Sequence, residues 1–188
     1  MTIIPSSKKC LDLMRGMGMM EHIVTHSKRV CQVAVCIAGH LNHQSRQPDL
    51  ELVIAAALLH DITKTRSFKT GENHADTGAS LLESLGYPEV GDIVRQHVRL
   101  DTYSDSDSIA EVEIVNYADK RVLHDEVVSL KARKEYIFEK YGKTPENRKR
   151  LNWLWRETET LERRIFKHLP FDPDQLTDYL TEPLALLE

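Results

Sequence analysis

Apolar residues recur at helical spacing along the chain, and no stretch shows the sustained alternation of a half-buried strand. This pattern predicts an all-α protein. The polar segments 65–72 and 101–108 lack periodicity and are predicted to be loops. The predicted helices cover about residues 7–15, 19–42, 50–61, 74–86, 88–98, 109–123, 129–141 and 145–169, with a short last helix from residue 172.

Residues at the helix ends support these boundaries. Asn73 with Asp76, and Ser108 with Glu111, form the capping-box pattern that starts a helix. Asp49 is a predicted N-cap for the helix that follows it. That helix is apolar nearly all round (LVIAAALL), so we expect it to pass through the centre of the domain.

The length and the apolar content fit one compact domain with an extension. A chain of 188 residues with 41% hydrophobic residues can bury a proper core. The helices become strongly charged after residue 128, without a repeat, a low-complexity tract or a flexible linker. We therefore predict a functional core over residues 1–128 and a helical extension packed on it over residues 129–188.

The composition also indicates where the protein works. No apolar run approaches the ~20 residues that span a bilayer, and the N-terminus lacks the apolar block and cleavage site of a signal peptide. Cys10, Cys31 and Cys36 form no CxxC pair and lie in or beside helical apolar patterns, which predicts neither disulfides nor a zinc ribbon. We expect a cytoplasmic protein that does not bind membranes.

The charge of the chain disfavours general nucleic-acid binding. The net charge is −4 and the pI is about 6.1, whereas neutralising a phosphate backbone requires a basic face. Two local basic clusters are interpreted as solvated helix faces. These clusters are Lys131, Arg133 and Lys134, and Arg148, Lys149 and Arg150.

Four ionisable side chains lie on apolar helix faces. His26, His74, His97 and Asp119 each stand three or four residues from apolar neighbours, so their side chains are predicted to point inward. One such histidine alone is most often an ordinary core residue. Leaving all four unpartnered would cost about 1–3 kcal/mol for each neutral group and more for the carboxylate. A shared set of partners is therefore expected.

His60 and Asp61 stand at the C-terminal end of the predicted central helix. If the four side chains converge there, the imidazoles and carboxylates could ligate one or two divalent cations, which would neutralise Asp61 and Asp119. A buried His–Asp hydrogen-bond network without metal is the alternative.

Five separated motifs then resemble one known family. In order and spacing they resemble the HD-domain phosphohydrolase superfamily over roughly residues 20–128, which implies an HD-domain helical bundle with a C-terminal helical extension. The additional His74 and His97 resemble those of the two-metal subgroup, and the layout is most similar to the bacterial diadenosine tetraphosphatase branch. The motifs are HSKRV at 26–30, LLHDITK at 58–64, HADTGASLL at 74–82, the histidine of VRQHV at 94–98 and YADK at 117–120.

This resemblance implies a metal site and a reaction. The cofactor would be one or two divalent transition metals (Fe, Mn, Co, Ni or Zn), and a metal-bound water would attack phosphorus in a small-molecule phosphoester, above all a nucleotide. Asp61 would bridge the two metals. The first metal would be held by His26, His60, Asp61 and Asp119, and the second would be completed by His74 and His97.

Two positions depart from the family pattern. Thr63 stands where many relatives have glycine, and we expect it to touch no ligand. The residues after His97 are ValArgLeu, whereas the tetraphosphatase branch has a Thr-Ser-Gly type sequence there. The second departure weakens the case for a dinucleotide substrate.

Cationic residues near the ligands are candidates to contact the phosphoryl group. Lys64 follows Asp61 by three residues, and Arg29 lies one turn from His26, so both are predicted to meet phosphoryl oxygens as charge develops. Either could instead be a surface cation. Arg99 and Lys120 are weaker candidates, because each follows a predicted ligand in the sequence but would point about 100° or more away from it on an ideal helix.

The tryptophans and the remaining histidines suggest other roles. Trp153 and Trp155 are two residues apart and cannot share a helical face, so we expect one in the core and one marking a subunit contact in a homo-oligomer. Five histidines complete no pattern and are interpreted as surface or helix-end residues. They are His22, His40, His43, His124 and His168.

Two other function classes stay open. Some HD-fold proteins with a similar ligand set hold two irons and oxidise C–H bonds with oxygen. A non-catalytic regulator could also keep the metal site as a structural staple.

Overall fold

The computed structural model of the protein describes residues 3–41, 48–103 and 106–180. Over these residues the chain forms nine α-helices, one two-stranded antiparallel sheet and a 3₁₀ helix, which confirms the predicted all-α fold. Asn42, at the end of a predicted helix, lies outside the described residues, as do residues 104 and 105 of a predicted loop. The helices are α1 Ser7–Gly16, α2 Glu21–His40, α3 Leu50–Leu59, α4 Lys64–Thr70, α5 His74–Ser84, α6 Pro88–Gln96, α7 Glu111–Lys120, α8 Leu130–Tyr141 and α9 Pro145–Phe166; the strands are β1 Val122–Leu123 and β2 Glu126–Val127, and the 3₁₀ helix is Pro173–Tyr179.

Helix α3 lies at the centre of the bundle. Val53 and residues 55–59 are wholly buried, and α3 packs against α1, α2, α6 and α7. Because α3 is apolar on nearly every side, each neighbour can bury its own apolar face against it. The predicted central position is confirmed, although the helix ends at Leu59 and His60 is its C-cap.

Several predicted helix ends are present. The side chain of Asp49 accepts a hydrogen bond from a backbone N–H at the start of α3. Asn73 caps α5 in the same way and also donates to Asp76. Gly86 follows α5 with a φ of 86°, a conformation that glycine adopts without steric penalty.

The predicted loop over residues 65–72 is wrong, because most of this segment forms α4. Helix α4 contains no buried residue, so no apolar periodicity marked it. Local hydrogen bonds stabilise α4, for example the one that the Ser67 hydroxyl donates to the carbonyl of Lys64 at 2.8 Å. Gly71, with a φ of 71°, ends the helix.

The start of α7 also differs from the prediction. Its N-cap is Ala110, whose backbone N–H donates to the Glu113 carboxylate at 2.9 Å. The predicted cap, Ser108, lies two residues earlier. Glu113 is buried and also pairs with Arg164 of α9 at 2.7 Å. A contact between distant parts of the chain therefore fixes this helix start.

The end of α7 is a turn into a short hairpin. Val122 pairs with Val127 in antiparallel register, so the predicted continuation of the helix to Leu123 is wrong. His124 occupies the turn with a φ of 58°. Apolar residues in this short segment suit either a helix face or a paired strand, and periodicity does not separate the two.

The C-terminal segment packs on the rest of the bundle. Tyr117 donates to Glu162 of α9 at 2.5 Å, and Phe171 and Leu176 join the main hydrophobic core. The division at residue 128 stays a prediction. Across the described ranges, every helix falls short of the length and apolar character that a bilayer-spanning segment requires. The three cysteines are buried and free.

Candidate metal centre

The six predicted ligand residues meet at the C-terminal end of α3. Ligand atoms of His26, His60 and Asp119 lie within 4.8 Å of one another, as do those of His60, Asp61 and His97. Nε2 of the sixth residue, His74, lies 3.2 Å from Oδ1 of Asp61. The residues come from five places in the chain: α2, the end of α3, the first residue of α5, the C-cap of α6, and α7.

Three imidazoles are held in the orientation that metal ligation requires. In each, Nδ1 lies within hydrogen-bond distance of a backbone carbonyl, which can only accept. The proton is therefore assigned to Nδ1, and Nε2 presents a lone pair to the centre. The pairs are His26 with His124 O at 2.7 Å, His60 with Ala57 O at 2.8 Å, and His97 with Val94 O at 2.6 Å.

Two buried ligand atoms lack a hydrogen-bond partner among the described residues. They are Nε2 of His60 and Oδ1 of Asp61. In addition, Nε2 of His74 and Nε2 of His97 face each other at 3.2 Å. Leaving Nε2 of His60 and Oδ1 of Asp61 unpaired in the interior is unfavourable by about 1–3 kcal/mol each. A divalent cation would satisfy all of them, so the donor set fits a transition metal.

The electrostatics of the cluster favour the ionised carboxylates. Burial alone would raise the pKa of Asp61, but His60, His74 and His97 surround the carboxylate and hold its pKa well below the usual range. Burial likewise opposes protonation of His60, yet the carboxylates of Asp61 and Asp119 raise its pKa, so a cation that binds Nε2 of His60 would displace a proton from it. The carboxylates are thus kept in the form that binds cations.

Thr63 holds the segment that carries a ligand. Its side chain is wholly buried, and its hydroxyl donates to the carbonyl of His74 at 2.8 Å. The hydroxyl also lies 2.9 Å from that of Thr77. We expected Thr63 to touch no ligand residue, and this is wrong, because its hydroxyl contacts the backbone of His74. The contact holds the first residue of α5 in place.

Lys120 supports the opposite side of the cluster. Its ammonium group is buried and donates to the carbonyls of His97 and Asn116, each at 3.1 Å. Burial lowers the pKa of Lys120 to about 8. Asn116 donates to the same His97 carbonyl at 3.0 Å. The helical-wheel angle placed Lys120 away from the phosphoryl position, but it did not reveal this support of a ligand.

Of the two cations predicted to meet phosphate, one lies at the centre. Nζ of Lys64 is 2.7 Å from Oδ2 of Asp61, and its side chain is 32% exposed. Arg29 instead donates to the carbonyl of Asp125 at 2.8 Å and to Gln32. These two bonds use Nε and Nη1 of the guanidinium, and contact of Arg29 with phosphate stays a prediction.

Arg133 is a functional candidate that the sequence did not reveal. Lys131 is exposed and Lys134 pairs with Glu159 at 3.2 Å, as expected of a solvated helix face. Arg133, however, points inward with its side chain 14% exposed, and Nη2 lies 4.0 Å from Oδ1 of Asp119. The solvated-face interpretation is wrong for this residue, since only the packing of α8 shows which way its face points.

Two cavities open beside the cluster. The α2 cavity, of about 630 Å³, lies on the side of His26. The α9 cavity, of about 400 Å³, lies on the side of His74 and His97 and reaches Trp153. Both volumes fall in the range of small-ligand sites. The residues that line both cavities are Lys64, Arg133, Ile137 and Tyr141.

One tryptophan lies in the core, as predicted, and the other lines a cavity. Trp155 is 2% exposed, and its indole N–H donates to the Leu130 carbonyl at 3.3 Å. Trp153 lines the α9 cavity, with the Arg99 guanidinium 5.1 Å from its ring centroid. Its predicted place in a subunit contact, and the homo-oligomer with it, stay predictions.

The remaining histidines lie outside the cluster where the structure describes them. His40 packs edge-on against Phe171, with ring centroids 5.2 Å apart. His22 lines the α2 cavity, and His124 contributes its backbone carbonyl to His26. His43 lies outside the described residues.

Three relatives among known proteins match part of this chain. A tRNA (cytidine(56)-2'-O)-methyltransferase of Thermoplasma volcanium is 39% identical over 97 residues, which cover 51% of this chain and 27% of that protein. An uncharacterized protein of Methanocaldococcus jannaschii is 32% identical over 82 residues, covering 44% and 47%. A ribonuclease Y of Aquifex aeolicus is 35% identical over 78 residues, covering 41% and 13%. The chain spans less than half the length of each of these relatives.

A structural match and a family model agree on the fold. The crystal structure of a predicted HD superfamily hydrolase from an uncultured Thermotogales bacterium matches with a TM-score of 0.50 at 22% identity, covering 84% of this chain and 90% of that chain. The family model of the HD domain matches residues 23–123, a range that contains all six residues of the cluster. This match covers more than half of the 188 residues, and the chain belongs to the HD domain family.

Proposed function

We propose that the protein is a metal-dependent phosphohydrolase that acts on a nucleotide or a related phosphoester. One observation carries the proposal: Nε2 of His60 and Oδ1 of Asp61 are buried and have no hydrogen-bond partner in the described part of the chain. Both atoms lie in the middle of a cluster of inward-facing imidazoles. Membership of a family that includes hydrolases supports the reaction type.

In this proposal the six clustered residues are metal ligands and Asp61 is shared between two cations. Its Oδ2 lies 3.4 Å from Nε2 of His60, whereas its Oδ1 lies 3.2 Å from Nε2 of His74 and 3.6 Å from Nε2 of His97. The two oxygens thus face different imidazoles, which supports a bridging role. A bound cation would lower the pKa of a water and screen the charge of the phosphoryl group.

Lys64 is the proposed partner of the phosphoryl group. Burial disfavours its charged form, but the Asp61 carboxylate outweighs burial and raises the pKa of Lys64, so the side chain stays an ammonium. If a cation were bound at Asp61, the Lys64 ammonium would be available to donate to a phosphoryl oxygen as negative charge develops. The partly exposed side chain has room for this contact.

The substrate is the finer part of the proposal. A nucleotide follows from the resemblance to the diadenosine tetraphosphatase branch, although the residues after His97 differ from that branch. Two relatives bear the names of enzymes that act on RNA, so a short RNA oligonucleotide belongs in the substrate panel. The net charge of −4 disfavours a long nucleic acid.

The test combines metal loading with a substrate panel. Protein loaded with manganese, iron, cobalt, nickel or zinc is offered nucleotides, dinucleoside polyphosphates and the RNA oligonucleotide, while phosphate release and oxygen uptake are recorded. Metal-dependent phosphate release without oxygen uptake supports the proposal. Oxygen uptake by the iron-loaded protein without phosphate release would replace it with the oxygenase, and no turnover from metal-replete protein would favour the regulator.

Asp61→Ala tests the assignment of the centre. We expect it to lose metal binding and turnover together, because it removes a ligand shared by both cation positions. Asp12→Ala, on the exposed face of α1, is the matched control and should keep both. An active, metal-replete Asp61→Ala protein would overturn the mechanism.

A further inference from the structure

Arg133 brings a positive charge from the C-terminal segment to the metal centre. It lies on α8, beyond residues 23–123 that match the family model. Its side chain is 14% exposed, and its Nε is buried without a hydrogen-bond partner among the described residues. A guanidinium has five donors, and burying it with donors unpaired is unfavourable. The described residues thus supply no hydrogen-bond acceptor for Nε of Arg133.

We propose that Arg133 binds the phosphoryl oxygens of the substrate together with Lys64. This inference rests on the proposed hydrolase function and adds to it a substrate-binding residue supplied by α8. The planar guanidinium can donate two parallel hydrogen bonds to a phosphoryl group, a geometry that a single ammonium does not provide. The C-terminal segment is then part of the active site.

The position of Arg133 fits a substrate that reaches the centre from either cavity. Arg133 and Lys64 line both the α2 cavity and the α9 cavity, together with Ile137 and Tyr141. A substrate in either cavity therefore borders both cations. Two cations on a doubly charged group also match its charge.

A purely structural role for Arg133 makes a different prediction. In that case the guanidinium would only neutralise Asp119. The separation of 4.0 Å is longer than a hydrogen bond. A cation bound to Asp119 would also take over its neutralisation. If the positive charge were the only contribution, Arg133→Lys, which keeps that charge, would bind phosphate like the wild type.

The experiment measures the binding of inorganic phosphate to manganese-loaded protein by calorimetry, with metal content determined in parallel. For Arg133→Ala we expect phosphate affinity about 10- to 100-fold lower, the fold-change that corresponds to loss of a hydrogen bond to a charged group. Manganese content should be unchanged, since Arg133 is not a ligand. Lys131→Ala, an exposed neighbour on the same helix, is the matched control and should bind phosphate like the wild type.

Arg133→Lys keeps the charge without the planar fork, and an intermediate affinity is expected. It carries the test if Arg133→Ala does not fold. Wild-type phosphate affinity of Arg133→Lys, with full manganese content, would overturn the role of Arg133 alone. A wild-type protein that holds neither manganese nor phosphate would instead overturn the proposed function, and the role of Arg133 with it.

Discussion

Replacing Gly91 by alanine is expected to shift helix α5 against helix α6, and with them the ligand residues His74 and His97. Gly91 lies in α6, where a Cβ atom would stand 2.9 Å from the backbone carbonyl oxygen of Ala79 in α5. Backbone atoms cannot rotate away as a flexible side chain can, so one helix must shift. Helix α5 begins with His74 and α6 ends next to His97, whose Nε2 atoms are 3.2 Å apart. A shift of α5 against α6 therefore changes this distance.

The magnitude follows from comparison with a glycine that has free space. Alanine is favoured over glycine inside a helix by about 1 kcal/mol, while overpacking a well-packed contact costs about 1–3 kcal/mol. At Gly39, in α2, a Cβ would meet nothing within 4 Å, so only the gain applies. Both variants gain the helix propensity of alanine over glycine, so this term cancels when they are compared. Gly91→Ala should therefore be less stable than Gly39→Ala by the overpacking cost, about 1–3 kcal/mol.

Urea denaturation of both variants gives the free energies of unfolding, and manganese titration followed by calorimetry gives metal affinity. We expect Gly39→Ala to bind manganese like the wild type and Gly91→Ala to bind it more weakly. If Gly91→Ala is as stable as Gly39→Ala and binds manganese normally, the close packing of α5 on α6 does not set the ligand geometry.

Two further changes probe what lies around the ligands. Thr63→Val should lower the free energy of unfolding by about 1–3 kcal/mol and weaken manganese binding, because the carbonyl of His74 loses its hydrogen-bond donor. Thr25→Val, at an exposed position, is the control and should stay within about 0.5 kcal/mol of the wild type. Equal urea midpoints for the two variants would contradict the role of the Thr63 hydroxyl. The native thiols should resist a thiol-reactive disulfide at mildly alkaline pH and react only after unfolding in urea, since burial raises their pKa and the thiolate is the reactive form; a fast-reacting thiol in the folded protein would contradict this. The pKa values are raised to about 12 for Cys10, about 12 for Cys31 and about 11 for Cys36.

Strong local patterns predicted most of the helices, and weak ones produced the errors. The apolar segment before His60 had to be buried whichever way the chain folded, so its central position was predictable. Helix α4 buries no residue and left no apolar signal. The start of α7 depends on Glu113, whose partner Arg164 lies 51 residues away in sequence. Pairing over such a distance is invisible to a local pattern.

The ligand residues were predictable for a similar reason. Ionisable side chains on apolar faces need partners, and their helical positions predict that they point inward. Their convergence at one point could be inferred only from the number of such residues and from the resemblance to a family. The distances show that the convergence exists, while the metal-binding role stays a proposal.

The sequence by itself determined the all-α fold, the central apolar helix and the set of inward-facing imidazoles and carboxylates, because spacing and burial are properties of each helix alone. Only the tertiary structure decided which cations face the centre. The sequence predicted that Arg29 meets the phosphoryl group and that Arg133 faces solvent, yet Arg29 donates to the carbonyl of Asp125 and Arg133 points towards Asp119. The orientation of a charged face depends on what the helix packs against, and that is fixed by contacts between distant parts of the chain.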